Sequence, residues 1–290
     1  MYGCMSTGRS VSIFNPMMLA IVQTLCLFFF GSCIGSFLNV CIDRWVKNQS
    51  VIKPRSHCPH CHKNIPWYLN IPVLTWLLLK GKTRCCGKPI PFRHFLSEIG
   101  IGLFAVLTFT YANDLAVPCF VLLCLLWVAF WSDCETMLIP DQVTLGGLLL
   151  GIVLSAFYPQ IQLTQNTFEA VKESFIGMCV GAGSLFLVAS IAECFVNEDA
   201  LGFGDMKLLG CIGAFLGTSG CLYALLLGSM FGTLFIVSHG IFTKLFRPKT
   251  NINRRIAFGP FLALGAVGYM MIVLWMRIEP RCFLSIPDEF

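Results

Sequence analysis

Two short acidic stretches interrupt long apolar sequence. Residues 132–141 read SDCETMLIPD, and residues 202–207 read GFGDMK. Two carboxylic acids brought within hydrogen-bond reach cannot both ionise easily, so one keeps a proton and the other is an anion. The anion can take a proton from water while the neutral acid polarises a peptide carbonyl, which is aspartyl proteolysis by general acid–base catalysis. Apparent pKa values would then belong to the pair. Asp133 and Asp205 are the candidates. Asp133 directly follows the apolar run FVLLCLLWVAFWS, where an acid at a helix C-terminus opposes the dipole. Asp205 follows Gly202 and Gly204, whose backbones permit unusual turns and close approach. If Asp205 opens a helix, the dipole favours its anion, and Lys207 is a nearby cation with the same effect. Glu135 takes a supporting role. Asp141, just after Pro140, reads as the cap of the next helix. The plainer alternatives are a snorkelling end-of-helix acid at Asp133 and an N-cap at Asp205.

These acids need a scaffold, and composition names its class. Of 290 residues, 56% are hydrophobic and only 12% charged, about half the charged share of an ordinary soluble domain. Apolar runs long enough to span a bilayer recur, and the alternation of a membrane barrel is absent. The expectation is an all-α polytopic membrane protein of about eight transmembrane helices, near 17–42, 95–112, 115–131, 142–158, 174–194, 206–218, 220–242 and 258–277. The first run, with FGSC at Phe30–Cys33, faintly resembles a cleaved signal but is span-length, so it reads as an uncleaved helix. The division expected is a first helix (17–42), a cysteine loop (43–94) and a seven-helix membrane core (95–277).

Charge gives the orientation. Fifteen of the twenty Lys and Arg residues lie in two loops, ten between Asp43 and His94 and five between Lys244 and Arg255. The positive-inside rule puts both loops in the cytosol. Eight spans then place Asp133 and Asp205 at the cytoplasmic face. Basic residues flanking spans are a topology signal, and no nucleic-acid partner is expected.

Most of the sixteen cysteines lie in apolar runs and read as small hydrophobes. The loop cluster is different. Cys58 and Cys61 form a C-x-x-C pair, and Cys86, with Cys85 beside it, could complete a zinc site. Adjacent cysteines rarely ligate one tetrahedral ion comfortably, so His57, His60 and His62 are further candidates. Reduced non-ligating thiols or a redox pair are the alternatives. The loop also carries Trp67, Tyr68 and Trp76, more than a linker needs, and reads as a small cytosolic subdomain that guides a substrate segment. Glu98 and Glu135 are candidates for an acidic surface there. An amphipathic face lying on anionic lipid is a competing use.

Five ordered motifs carry a resemblance. GSFLNVCIDRW (35–45), RSHCPHCHKNIPWYLNIPVLTWLLLKGKTRCCGKPIPFRHFLSEI (55–99), SDCETMLIPD (132–141), GFGDMKLLGCIGAFLG (202–217) and IAFGPFLALG (256–265) resemble the bacterial type IV prepilin peptidases, a GxGD aspartyl protease family. The resemblance puts the catalytic pair on Asp133 and Asp205. It has Glu135 where many members have Asp, and Thr83 where zinc-binding members have a cysteine. It implies cleavage of prepilin and pseudopilin leaders at the cytoplasmic side of the bacterial inner membrane. It also implies N-methylation of the new terminus with S-adenosylmethionine. The donor site stays unassigned, because no glycine-rich dinucleotide fingerprint is present. The substrate's apolar helix would lie in lipid beside the spans. A secondary transporter also uses intramembrane acids, but near the midplane. A different GxGD protease needs neither the cysteine loop nor NVCIDRW, and a bare scaffold leaves both aspartates unexplained.

Overall fold

The computed structural model describes residues 16–53, 57–58, 60–61, 63–195, 202–246 and 257–283. Eight α-helices follow in order: α1 (Pro16–Trp45), α2 (Leu74–Leu78), α3 (Phe92–Tyr111), α4 (Ala116–Thr136), α5 (Asp141–Phe157), α6 (Thr167–Phe195), α7 (Phe203–Phe246) and α8 (Gly259–Phe283). The described residues contain no strand, only two isolated bridges, His57 with Asn64 and Lys82 with Pro89. The all-α expectation holds. Among the described residues, six helices are long and apolar enough to cross a bilayer, and α5 is a shorter apolar helix. Leu149, Phe186, Leu226, Leu234 and Met271 are among the large apolar side chains left exposed, as a lipid-facing surface requires.

Of the two spans by which the eight expected exceed the six long helices, one is the short α5 and the other lies in α7. Its 44 residues would make a straight rod of about 66 Å, twice the hydrocarbon thickness. Gly217 interrupts it with φ 69° and ψ −172°, a backbone that L side chains rarely adopt. Packing shows that the chain reverses there. A straight helix would hold Gly204 and Gly232 about 42 Å apart. Yet Gly204 and Gly259 both lie against Ile139, while Gly232 lies against Phe258 and Phe261. The two arms of α7 are thus the expected sixth and seventh spans.

A reversal at membrane depth frees backbone carbonyls that must find donors. Gln162 supplies them from the turn after α5: its Nε2 donates to Ala214 O at 3.0 Å and to Phe215 O at 3.2 Å. Ser174 Oγ donates to Ala214 O at 2.6 Å, and Gln162 also donates to Ser155 Oγ at 3.0 Å. Small residues bring the helices together. Gly177 of α6 and Gly213 of α7 touch backbone to backbone, so a Cβ on either would strike the other's carbonyl. On α1, a Cβ at Gly35 would stand 2.5 Å from Ser97 O of α3.

The alternating connections leave the C-termini of α1 and α4 and the N-termini of α3, α5, α7 and α8 at one end of the bundle. Gln162 and Gly217 lie at the other. Every sequence-derived acid of interest sits at the first end.

Candidate active site

Asp133 lies in the last turn of α4 and is buried. Its Oδ2 accepts the Gly259 N–H at 2.9 Å. Gly259 is the first residue of α8, so the bond comes from a helix N-terminus, where free N–H groups and the dipole favour an anion. Only glycine fits: a Cβ there would stand 2.7 Å from Asp133 Oδ2 and 3.0 Å from Ile139 Cδ1. α4 then ends on Met137, left-handed at φ 55°, whose N–H donates to Asp133 O at 2.9 Å.

Asp205 stands in the first turn of α7, its N–H donating to Gly202 O at 3.1 Å. Among the described residues, its Oδ1 is buried with no hydrogen-bond partner. The Asp133 carboxylate is close enough to act on it electrostatically. The fold therefore brings these two acids, distant in sequence, to one place, with Ile139 and Gly259 beside them. A buried carboxylate oxygen without a donor is costly. It is an acceptor that the hydrogen of a water or a peptide group would satisfy.

The other sequence-derived residues take different positions. Neither Gly202 nor Gly204 has a positive φ. Gly204 serves by close approach instead, since a Cβ there would lie 3.3 Å from Ile139 Cβ. Lys207 Nζ is 2.7 Å from Asp141 Oδ1. Two residues along a helix is about 200° of rotation, so Lys207 leaves α7 on the side away from Asp205. It ties α7 to α5. Asp141 is not a cap: Pro140 holds that position without a side-chain bond, and Asp141 begins α5. Glu135 pairs with Arg93 Nε at 2.9 Å. Glu98 Oε2 accepts the Val73 N–H at 2.7 Å, which holds Val73 at φ 62°. Gly259 and Arg93 were not singled out by sequence, although both lie in quoted motifs. Their side-chain types gave no sign of partners so remote.

In the loop, Cys58, Cys61, Cys85 and Cys86 bring their sulfurs within 4.8 Å of one another. Cys58 and Cys86 are 3.7 Å apart, Cys61 and Cys85 3.2 Å, and Cys85 and Cys86 4.0 Å. Four thiolates around one zinc, each at roughly 2.3 Å, would lie about 3.8 Å apart. The set fits, and the neighbouring Cys85 and Cys86 are not an obstacle. Two facing turns make it, closed by Cys58 N–H to Lys63 O at 2.9 Å and Thr83 N–H to Lys88 O at 2.8 Å. Thr83 Oγ1 lies 3.2 Å from Cys86 Sγ, beside the cluster. No described histidine joins the sulfurs, and His62 lies outside the described residues. The backbone N–H groups of Cys61 and His60 bring the Cys58 thiol down to about 6. The Cys61 thiol and then burial push Cys85 up to about 12. Four crowded sulfurs do not all ionise without a cation, and a divalent ion would supply that charge.

A further cleft of about 370 Å³ is lined by Leu148, Ala182, Gly183, Phe186, Phe203, Met206, Lys207 and Gly210. It offers one cation and otherwise apolar groups, so it does not fit the amine, ribose and sulfonium of S-adenosylmethionine.

Comparison with known proteins agrees with this architecture. Residues 29–112 match the bacterial peptidase A24 N-terminal domain, and residues 120–237 match the type IV leader peptidase family. A prepilin leader peptidase/N-methyltransferase of Myxococcus xanthus is 37% identical over 90% of this chain and 78% of its own length. One from Klebsiella pneumoniae is 35% identical over 70% of this chain and 89% of its own. One from Dickeya chrysanthemi is 31% identical over 87% and 94%. No solved structure matches. With the leader peptidase model covering both Asp133 and Asp205, and relatives this similar over most of their length, the chain belongs to the type IV leader peptidase family.

Proposed function

We propose that Asp133 and Asp205 are the catalytic pair of a membrane aspartyl endopeptidase that removes the leader from prepilins and pseudopilins. The observation that carries this reading is the buried, unpartnered Oδ1 of Asp205 beside the Asp133 carboxylate. Water lies between the pair and the scissile carbonyl. The ionised carboxylate takes one proton from it while the protonated one gives its proton to the carbonyl oxygen. The gem-diol collapses: one hydroxyl gives its proton to the ionised carboxylate, the C–N bond breaks, and the leaving amine takes the proton of the other carboxyl, so the pair ends with the one proton it began with. Gly259 N–H holds one oxygen of Asp133 through these steps. Ile139 packs beside it and limits water.

The chain is a multi-pass membrane protein. The bacterial inner membrane is its inferred location, with lipid around the spans and the catalytic end toward the cytosol, as the basic loops require. Residues 17–42 serve as the first anchor, 43–94 as the cysteine subdomain and 95–277 as the catalytic core. N-methylation of the new terminus is the second inferred activity. S-adenosylmethionine is its donor, with no residues assigned to it. Incubating purified protein with a prepilin peptide, with and without the methyl donor, tests both by mass spectrometry. Cleavage is expected in either case, and a methyl mass only with donor. An intact peptide in both would overturn the reading.

Zinc is the ion inferred for the cysteines, held by Cys58, Cys61, Cys85 and Cys86. It would supply structural charge that locks the two turns together, away from the peptide chemistry. Purified protein is expected to carry about one zinc per chain. Cys58→Ser and Cys85→Ser should each lose it. Equal, near-zero metal in wild type and both variants would remove zinc.

A further inference from the structure

Arg93 is buried in the first turn of α3, with its side chain 6% exposed. That is an unfavourable place for a cation. It sits at a helix N-terminus, against the dipole, and away from water. Such a group persists when counter-charges surround it, and Arg93 has two carboxylates and one amide oxygen about it, on two other helices. Its Nη2 pairs with Asp43 of α1. Its Nη1 reaches Asn39 Oδ1 of α1 at 3.5 Å. Its Nε lies 2.9 Å from a Glu135 carboxylate oxygen of α4, a close charge contact in which the Nε–H is not aimed at the oxygen. Asn39, itself buried, donates from Nδ2 to His94 O at 3.2 Å and closes the network.

Glu135 stands two residues after Asp133, about 200° around α4. The last turn of α4 is thus gripped from both sides. Gly259 holds the Asp133 carboxylate on one face, and Arg93 holds Glu135 on the other. Beyond that turn the chain leaves the helix at Met137. A helix end lacks the bonds that fix its interior, and it frays unless tied. The tie also spans the two matched regions, since Arg93 lies in 29–112 and Glu135 in 120–237.

We propose that Arg93 is a positioning residue for cleavage: through its ion pair with Glu135 it sets where α4 presents Asp133. The inference rests on the proposed Asp133–Asp205 pair. A purely structural Arg93 would glue α1, α3 and α4 together without governing the acid.

The test compares full-length wild type with Arg93→Gln, Arg93→Lys, Glu135→Gln and Arg93→Gln/Glu135→Gln, on a prepilin substrate in detergent, with Asp133→Asn alongside. Positioning predicts that kcat falls about 10-fold or more in Arg93→Gln and Glu135→Gln while KM holds. Arg93→Lys recovers much of it, because an ammonium can still pair with Glu135. The double variant is no slower than the worse single one, since both break one tie. A lowered Tm with unchanged kcat in the single variants overturns the inference. If Arg93→Gln does not fold, Glu135→Gln decides, because its side chain is 43% exposed and tolerates the change. Normal cleavage by Asp133→Asn would overturn the catalytic pair itself. A dead Asp133→Asn beside a fully active Glu135→Gln overturns only the positioning role.

Discussion

Asp133→Asn and Asp205→Asn are each expected to lower kcat for leader cleavage by about 10³-fold or more, the scale of a lost general acid or base. Each variant should remain folded. An asparagine at 133 still offers a carbonyl oxygen to the Gly259 N–H, now 2.9 Å from Asp133 Oδ2. An asparagine at 205 sits where the native oxygen already lacks a partner. The two changes should not multiply. A shared proton makes the acids one unit, so the double variant should be about as slow as either single one. Steady-state kinetics on a prepilin peptide, with circular dichroism as the fold control, checks this. Wild-type turnover in either single variant would remove that acid from the chemistry.

Gly259→Ala is expected to cut kcat about 100-fold at little cost in stability. The added methyl would stand 2.7 Å from Asp133 Oδ2 and 3.0 Å from Ile139 Cδ1. The carboxylate is the easier of the two to displace, and it loses its one backbone donor when it moves. A shift of about 1 Å in a catalytic group costs on the order of 10²-fold. Gly146→Ala is the control, because a Cβ there meets nothing within 4 Å, and its turnover should match wild type. Equal kcat in Gly259→Ala and Gly146→Ala would show that the Gly259 contact does not hold the acid.

How much of this was legible in the sequence follows from what kind of information each feature needs. Apolar run length reports spans, so the arms of α7 appeared as separate spans although they join at Gly217. The donors that make the reversal tolerable, Gln162 and Ser174, could not be seen. Each lies more than 35 residues from the carbonyl it serves, and a Gln in a loop reads as ordinary. Asp133 and Asp205 stood out because a carboxylate beside lipid is expensive and rarely idle. Gly259 did not, because a missing side chain shows its use only when a partner's distance is known. Lys207 was read as a helper of Asp205 because it is near in sequence, and helix rotation sends it to Asp141 instead. The adjacent Cys85 and Cys86 read as an awkward ligand pair, yet the turn around Gly87, at φ 68°, lets both sulfurs face Cys58 and Cys61.

The first arm of α7, from Phe203 to Leu216, is about 21 Å long, and its neighbour α5, with 17 residues, is about 26 Å. Both fall short of a hydrocarbon slab of about 30 Å. Of the two, α5 exposes Leu145, Leu149, Val153 and Phe157, whereas the arm of α7 is covered by protein from Leu208 to Gly217. A helix too short to cross lipid is thus kept out of it: neighbouring helices sheathe the arm that carries Asp205, and only its first turn, Phe203 to Asp205, opens at the end of the bundle where Asp133 lies.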